Sequence, residues 1–413
     1  MLNKDNVREL AYVVKIDGIE PIVGSDNCEA AVVGGWRIMT RKGTFKAGDL
    51  AIYFEIDSKV PATEQFAFLE KKHYKVKTQK YTFGGKGNFV SQGLLMHPND
   101  FGWTVSYFDS AVPSPDCKAI YDNDGKMHTA DDESRFLTQK LGVVYASDDD
   151  NKRKASSVDK YKRMAQRHPK LGKTAWWKFL YGRKWGKKLL FVFFGKPRDK
   201  RGTWPAWVSK TDEERVQNMP WVLSDKRPWI VTEKIDGTST TFTMKRKKFN
   251  RFDFYVCSRN VCFDKPDKKC FYDTNVYTEM AEKYDVENKL REFMEIHKTL
   301  ETVTIQGETY GSGVQKRDYG LKDHDFAAFN FIVDDWRLPS DIGKERAEEL
   351  GIPWVPILDE NFILPDTVDE LLEYATDKSQ IDGGMREGVV IRDHEGKQSF
   401  KAVSNEYLLK YHG

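Results

Sequence analysis

The sequence of 413 residues predicts an α+β protein, in which a small N-terminal β-barrel precedes a domain of helices and a mixed antiparallel sheet. Three observations support this prediction. Short β-rich runs recur between turn residues from Leu10 to about Gly102, a strongly basic segment follows, and strand-like and helix-like patterns mix beyond Pro228. The predicted parts are a barrel domain at residues 1–108, a basic and partly helical connector at 109–223, and an α+β domain at 224–413.

The N-terminal part has several short runs typical of strands and no long helical pattern. Short strands of this kind form a sandwich or close into a small barrel, and closure removes the free strand edges. We therefore predict a barrel like the OB-fold at residues 1–108. The runs are LAYVV from Leu10, CEAAVVGGWRIM from Cys28, DLAIYFEI from Asp49 and FVSQGLLM from Phe89.

The connector concentrates positive charge, although the whole chain has a formal net charge of only +3. Between Lys152 and Arg201 there are 18 Lys and Arg residues and two acids, a local excess of +16. Cations for phosphates and rings for bases indicate a nucleic-acid partner. The alternative is a solvated helical face whose aromatic residues enter the core. The rings are Trp176, Trp177, Phe179, Tyr181 and Trp185.

The C-terminal part mixes runs of β-branched and aromatic residues with patterns of helical period. Helices are predicted at Asn275 to His297, at Ser340 to Leu350 with Gly351 as the stop, and at Val368 to Thr376. The predicted strands are WIVTEKI from Trp229, TSTTFTM from Thr238, FDFYVCS from Phe252, TVTIQGETYG from Thr302, FAAFNFIV from Phe326, GVVIR from Gly388 and SFKAV from Ser399.

Several classes of protein are disfavoured. The longest apolar run, Leu189 to Phe194, is far shorter than the roughly 20 residues of a membrane span. The polar N-terminus does not resemble a signal peptide, so we expect an intracellular protein, cytoplasmic or nuclear, without a membrane partner. Five cysteines without a Cys-x-x-Cys pair indicate reduced thiols rather than disulfides or zinc. The Gly-Lys-Thr at Gly172 is no P-loop, because Arg167 stands where that motif needs glycine.

The tetrapeptide Lys-Ile-Asp-Gly occurs twice, at Lys15 and at Lys234. Such a short pattern is weak evidence alone, so the residues that follow each copy decide its meaning. After Lys15 come only a turn and a strand, which predicts a surface lysine. After Lys234 comes an ordered series of charged and aromatic residues: Arg259 in SRN, Glu308 in GETYGSGVQ, Phe329 in FAAFNF, Glu387 in REGVVIR and Lys401 in SFKAVS.

This ordered series resembles the nucleotidyltransferase motifs of the covalent polynucleotide ligases and mRNA capping enzymes. The N-terminal part and the segment WVSKTDEERVQN further resemble the ATP-dependent RNA ligases that carry an OB domain before the catalytic domain. The resemblance covers most of the chain and is weakest at residues 109–201. It implies an enzyme that joins 3′-OH and 5′-phosphate ends of RNA, at nicks in RNA-containing duplexes, through lysyl-AMP and 5′-adenylylated strand intermediates. We also expect a monomer.

The chemistry explains why such residue types are needed. A lysine attacks phosphorus only as the neutral amine, and near pH 7.5 its deprotonation costs roughly 4 kcal/mol from an ordinary pKa of about 10.4. Positive neighbours lower this cost. The resemblance implies Lys234 as the nucleophile, Lys401 and a divalent metal as the source of positive field, and Glu387 and Asp236 as further catalytic groups.

The resemblance also implies contacts to ATP and to Mg²⁺ or Mn²⁺. Asp236, Glu308 and Glu387 would hold the metal largely through water, as Mg²⁺ prefers. The remaining nucleotide contacts are an adenine edge read by the backbone beside Glu233, a ring stacked on adenine from Phe329, a ribose and phosphate contact from Arg259, and contacts to the β- and γ-phosphates from Lys210 and Arg215.

Three alternatives stay open from the sequence. Phe329 has Phe326 and Phe331 as neighbours, so it is alternatively a core residue. The last motif usually has a second lysine where this chain has Val403, so Lys410 or a connector residue replaces it, or phosphate binding is weaker. DNA ligases and capping enzymes place an OB domain after the last motif, and only 12 residues follow Lys401. That disfavours both, and the rival from another class is a non-catalytic OB protein that binds nucleic acid.

Overall fold

The computed structural model describes residues 1–85, 87–108, 118–146, 174–194, 201–202, 204–263 and 275–411. Packing divides the chain into two compact units. The first unit contains residues 1–146, 213–235 and 356–413, and the second contains residues 147–212 and 236–355. Each unit is therefore assembled from segments that are distant in sequence.

The strands, numbered in chain order, are β1 (Ala11–Lys15), β2 (Gly18–Pro21), β3 (Cys28–Val33), β4 (Trp36–Arg41), β5 (Leu50–Phe54), β6 (Ser58–Lys59), β7 (Gln79–Thr82), β8 (Asn88–Ser91), β9 (Leu94–Met96), β10 (Thr104–Tyr107), β11 (Lys118–Tyr121), β12 (Met127–His128), β13 (Val144–Tyr145), β14 (Arg201–Gly202), β15 (Glu214–Arg215), β16 (Pro228–Lys234), β17 (Thr238–Lys247), β18 (Arg251–Ser258), β19 (Cys262–Phe263), β20 (Thr302–Gly311), β21 (His324–Val333), β22 (Trp336–Arg337), β23 (Ile357–Ile363), β24 (Gly388–Asp393) and β25 (Ser399–Val403).

The α-helices are α1 (Ala175–Tyr181), α2 (Lys184–Phe194), α3 (Val276–Lys283), α4 (Val286–Ile296), α5 (Ser340–Glu349), α6 (Val368–Ala375) and α7 (Asn405–Tyr411). Short 3-10 helices occur at Glu64–Lys72, Pro98–Phe101, Glu133–Arg135, Val216–Asn218, Pro220–Ser224 and Lys248–Asn250.

The β-rich N-terminal part of the first unit confirms the predicted OB-like fold. Its strands form small antiparallel sheets, among them β1-β5-β9 and β2-β3-β4. Strand β5 is buried on both faces, since Ile52 lies in one hydrophobic cluster and Tyr53 in another. The predicted run from Cys28 is a hairpin, because Gly34 and Gly35 take positive φ angles of 51° and 79° that suit a two-residue turn.

A second sheet completes the first unit, with strand order β15-β25-β24-β16-β23. Alternate residues of β16, β24 and β25 point into a core that helix α6 covers, and Trp229, Val389 and Phe400 belong to it. Strand β23 and helix α7 have no counterpart in the sequence prediction. Every side chain of β23 is half-buried or exposed, so this strand lacks the run of apolar residues that identifies the central strands in the sequence.

The second unit contains a larger sheet, in the order β14-β19-β18-β17-β20-β21-β22 among the described residues. Phe242 and Ile305 are buried on the face that packs against helices. The predicted single helix from Asn275 to His297 is wrong in one respect. It is broken into α3 and α4, because Asp285 has left-handed backbone angles of φ 50° and ψ 41°.

The connector, residues 109–223, contains the two helices α1 and α2 in its basic segment, and short strands and 3-10 helices in its other described residues. The rest of its basic sequence, 152–173 and 195–200, lies outside the described residues. Cys28, Cys257 and Cys262 are free thiols, and Cys117 and Cys270 lie outside the described residues. No helix in the described part of the chain combines the length and apolar character that a membrane crossing requires.

Candidate active site

Lys234 and Glu387 form an ion pair at the end of two paired strands. Strands β16 and β24 are antiparallel, with Lys234 opposite Gly388. The Lys234 Nζ donates to Glu387 Oε2 at 2.7 Å, and the two side chains are 25% and 9% exposed. A Cβ at Gly388 would lie 2.2 Å from the carbonyl oxygen of Ala402. Glycine therefore allows the close approach of β24 and β25 directly beside Glu387.

Lys401 lies on the same face of this sheet as Lys234. Residues that pair across neighbouring strands point to the same face of a sheet, and Lys401 pairs with Val390, which in turn pairs with Thr232. Lys234 stands two residues after Thr232 on the same strand, so its side chain points to that face as well. The opposite face is the hydrophobic core. Arg392 joins the polar face, where its Nη1 donates to Thr232 Oγ1 at 2.9 Å. The face opposite the core thus carries several cations around the predicted nucleophile.

Arg215 brings another cation next to Lys401. Strand β15 is parallel to β25, with Arg215 opposite Lys401. The guanidinium lies 5.6 Å from the centroid of the Trp36 ring, and its Nη1 is buried without a hydrogen-bond partner in the described residues. Burial lowers the pKa of Arg215, and the charge of Glu387 partly offsets this. A buried donor without a partner is costly unless a ligand oxygen fills its place.

Val403, the position at which the resemblance predicts a second lysine, is buried. It packs with Val90 of the barrel and with Leu408 of α7. A lysine at this position would lose the solvation of its ammonium. Lys410, the other candidate replacement, lies on α7 with its Nζ 5.1 Å from the Tyr411 ring centroid. Of the connector residues, Arg215 is the one that pairs with Lys401.

The side chain of Glu233 points away from the lysine face, and the residue is 2% exposed. Its Oε1 accepts from Ser379 Oγ at 2.5 Å and its Oε2 accepts from the backbone N–H of Gln380 at 2.8 Å. Its own backbone N–H donates to Pro356 O at 2.9 Å. The contact that the structure shows for the Glu233 carboxylate is therefore with the loop before Glu387, and sequence reasoning missed Ser379 and Gln380, which carry no motif.

In the second unit, Asp236 and Glu308 lie on neighbouring backbone. Gly237 packs against β20 so closely that a Cβ would lie 2.3 Å from Thr309 O and 2.8 Å from Glu308 Cγ. The buried Asp236 donates its backbone N–H to the Tyr319 hydroxyl at 2.7 Å. Tyr319 is a residue that the sequence did not single out, since no motif position marks it.

Phe329 stands at a β-bulge, which settles its register. Gln306 pairs with Asn330 and Gly307 pairs with Ala328, so Phe329 is the extra residue between them. Phe326 and Phe331 are fully buried in the core, whereas Phe329 is half-buried. The bulge therefore keeps the Phe329 ring out of the core that its neighbours fill.

Lys210 and Arg259 meet along a segment that crosses the polar face of the second unit's sheet. Trp207 Nε1 donates to Thr243 Oγ1 at 3.0 Å, and Gln306 Nε2 donates to Ser209 O at 2.7 Å. Beyond these anchors, Arg259 pairs with Asp212 at 2.5 Å and the Lys210 Nζ donates to Asn260 Oδ1 at 3.3 Å. These hydrogen bonds hold the exposed Lys210 beside the turn that carries Arg259.

Lys15, in the other copy of the tetrapeptide, ends β1 of the barrel opposite Leu50. Asp17 of that copy accepts a hydrogen bond from the Gly34 N–H in the neighbouring turn. Within the described residues, no group of three or more His, Cys, Asp or Glu side chains is placed to hold a metal ion by itself.

Two regions of the chain match models of known protein families. Residues 227–411 match the model of the RNA ligase family, and residues 10–97 match the model of an OB-fold domain. The fold is similar to a Naegleria gruberi RNA ligase with PPi, at 24% identity and a TM-score of 0.61, covering 98% of this chain and 99% of that one. A search of the curated proteins found no match.

Mutants of that Naegleria gruberi ligase have the same fold in complexes with nucleotides. The mutant with ATP and Mn is 24% identical, with a TM-score of 0.62 and coverage of 98% of this chain and 100% of that one. The mutant with AMP and Mn is 24% identical, with a TM-score of 0.62 and coverage of 98% and 99%. At this identity the likeness concerns the fold.

Proposed function

We propose that this chain is an ATP-dependent RNA ligase, because residues 227–411 match the model of the RNA ligase family and residues 10–97 match the model of an OB-fold domain. The single observation that carries the proposal is the Lys234–Glu387 pair at 2.7 Å, on a sheet face that also carries Lys401. This pair lies within the matched family domain. The structures of the Naegleria gruberi ligase with ATP, AMP and PPi support the nucleotide class.

The proposed first step joins Lys234 to AMP. Its Nζ attacks the α-phosphorus of ATP, an N–P bond forms, and the P–O bond to pyrophosphate breaks as the amine loses its proton. The hydrogen bond to Glu387 stabilises the ammonium before ATP binds, and Glu387 Oε2 is positioned to accept the proton. Lys401 and Arg215 would cancel charge on the phosphates, and Arg215 takes the place of the lysine that this chain replaces with Val403.

The proposed cofactor is a divalent metal, Mg²⁺ or Mn²⁺. Asp236, Glu308 and Glu387, the residues that the resemblance assigns to it, are hard oxygen donors of the kind that these ions prefer. Mg²⁺ keeps several waters with few direct protein ligands, so it needs no compact cluster of protein carboxylates. When bound, the metal neutralises phosphate charge and so favours departure of pyrophosphate.

The further contacts to the nucleotide are also proposals. Phe329 would stack on adenine, since the bulge leaves its ring half-buried. Arg259 and Lys210 would contact ribose and phosphates, which requires ATP to replace the Asp212 pair. Glu233 would act near adenine by its backbone alone, because its carboxylate is engaged by Ser379 and Gln380.

The substrate is proposed to be RNA, or an RNA-containing duplex, with a 3′-OH and a 5′-phosphate at a nick. AMP would pass from Lys234 to the 5′-phosphate, and the 3′-OH would then displace AMP and close the strand. We further propose that the protein acts as a monomer. The alternative is that the same covalent lysine serves another reaction, either DNA ligation or mRNA capping, and the following test distinguishes these reactions.

The test uses the full chain with radiolabelled ATP or GTP, followed by nicked duplexes with RNA or DNA on each side. We expect a covalent AMP adduct with the wild type, none with Lys234→Ala, and an unchanged adduct with Lys15→Ala. Lys15 is the matched control, because it ends a strand in the same tetrapeptide. An adduct on the Lys234→Ala protein would refute the nucleophile, and labelling by GTP alone would favour capping chemistry.

A further inference from the structure

Helices α1 and α2 of the connector expose large rings. They enclose a small core of Trp177, Leu180 and Leu190. Trp176, Phe179 and Trp185 are nevertheless 53%, 51% and 53% exposed. Single exposed apolar residues are common, but three large aromatic rings on two consecutive short helices are not needed for this core. The alternative that all the connector rings enter the core is wrong for these three.

The same helices are strongly basic. Residues 174–194 contain five Lys and Arg residues and no acid. Lys178, Arg183 and Lys188 are exposed, and the Arg183 guanidinium lies 3.8 Å from the centroid of the Phe179 ring. A protein partner with an apolar surface would not require this charge. A nucleic acid would use both the charge and the rings, because its phosphates bind cations and its bases stack on aromatic side chains.

We propose that the exposed rings Trp176, Phe179 and Trp185, together with Lys178, Arg183 and Lys188, form a platform that binds unpaired RNA bases. Bases in a duplex are already stacked on one another, so exposed rings gain most from single-stranded or frayed RNA. The cations would bind the phosphates on either side. The inference rests on the proposed RNA ligase function, and it adds a binding surface outside the nucleotidyltransferase motifs.

The test measures binding without ATP, by fluorescence anisotropy of a labelled single-stranded RNA and of a blunt RNA duplex. The variant Trp176→Ala/Phe179→Ala/Trp185→Ala is expected to bind the single strand at least about 10-fold more weakly, since each stacked base contributes appreciably. Its affinity for the blunt duplex should change by less than about threefold. Trp336→Ala is the matched control, because Trp336 is 57% exposed but lies outside the basic segment.

Adenylylation of Lys234 by ATP alone is measured on the same proteins and should be unchanged. This readout separates the platform from the proposed function, since an intact adduct together with weakened RNA binding supports the platform. Unchanged affinity of the triple variant for the single strand overturns the proposal. An equal loss of binding to heparin, which has no bases, also overturns it, because charge rather than stacking would then have been removed.

Discussion

Glu233 shows how one buried side chain can position two others. Its carboxylate holds Ser379 and Gln380, in the loop that leads to Glu387, and its backbone precedes Lys234. The same loop is held at its far end by Arg386, which donates to Tyr374 O at the C-terminus of α6. Glu233 therefore acts as a positioning residue for the nucleophile and its carboxylate partner.

We predict that Glu233→Gln slows adenylylation about 10-fold and destabilises the protein by about 1–3 kcal/mol. The neutral amide has one acceptor oxygen where the carboxylate has two, so the Ser379 hydroxyl and the Gln380 N–H cannot both keep an acceptor. Single-turnover labelling with ATP and denaturant unfolding measure the two effects. Ser379→Ala, which removes one hydrogen bond and leaves the carboxylate, should have a smaller effect. Equal effects of both variants would contradict the role of the charge.

At the scale of the elements, the close approach of β24 and β25 holds Glu387 and Lys401 in register. Gly388→Ala would force the strands apart, because its Cβ would lie 2.2 Å from Ala402 O. We expect a decrease of about 2 kcal/mol or more in unfolding free energy, together with disappearance of the AMP adduct. Gly18→Ala is the control, since nothing lies within 4 Å of its added Cβ. A Gly388→Ala protein of normal stability and activity would exclude this packing.

The first unit contains a buried polar group of a different kind at Asp122. Burial by itself would raise the pKa of Asp122, but hydrogen bonds from His128, Lys140 and the backbone outweigh it and hold the pKa well below its ordinary value. Its Oδ2 lies 2.9 Å from His128 Nε2 and 2.6 Å from Lys140 Nζ. The ionised carboxylate is thus bound more favourably in the folded unit than in the unfolded chain.

This shift predicts how acid affects the fold. A carboxyl whose folded pKa is depressed contributes stability above its unfolded pKa of about 4, and the contribution disappears as pH falls further. Asp122→Asn should cost about 1–3 kcal/mol at neutral pH, because the neutral amide has one acceptor oxygen where the carboxylate has two, and it lacks the charge that pairs with Lys140. It should also flatten the fall in stability below about pH 4. Urea unfolding of the wild type and of Asp122→Asn across this pH range measures both effects. Parallel curves of unfolding free energy against pH would contradict the prediction.

At the scale of the whole molecule, positive charge is concentrated in one segment of the chain, and RNA binding should therefore depend on salt through that segment. The net charge of +3 is the sum of an excess of +16 at residues 152–201 and a charge of −13 in the rest of the chain. Lys178→Ala/Arg183→Ala/Lys188→Ala should flatten the dependence of single-stranded RNA binding on salt, by up to about 0.7 in the logarithmic slope for each cation–phosphate interaction that is removed. The control replaces the exposed Lys248, Lys298 and Lys322 of the same unit. An equal change of slope in both variants would contradict a localised surface.

Much of this protein is determined by local sequence. The ordered series of Lys234, Glu308, Glu387 and Lys401 resembles nucleotidyltransferase motifs and so predicts the chemistry, and each of these residues lies in or next to a strand whose apolar pattern is visible in a few residues. The apolar patterns of β1, β3–β5, β8 and β9 in the barrel, and of β16–β18, β20, β21, β24 and β25 in the larger sheets, predict these strands for the same reason. Whether these residues perform the assigned roles stays a prediction.

Other features depend on contacts between distant segments, and only the tertiary structure decides them. Glu233 meets Ser379 across 146 positions, Arg215 meets Lys401 by joining a sheet edge, and the bulge at Phe329 depends on the register of β20 and β21. The break at Asp285 interrupts a continuous helical pattern. Such contacts leave no periodic signal, because strand pairing, burial and backbone register are set by the free energy of the folded chain rather than by neighbouring residues.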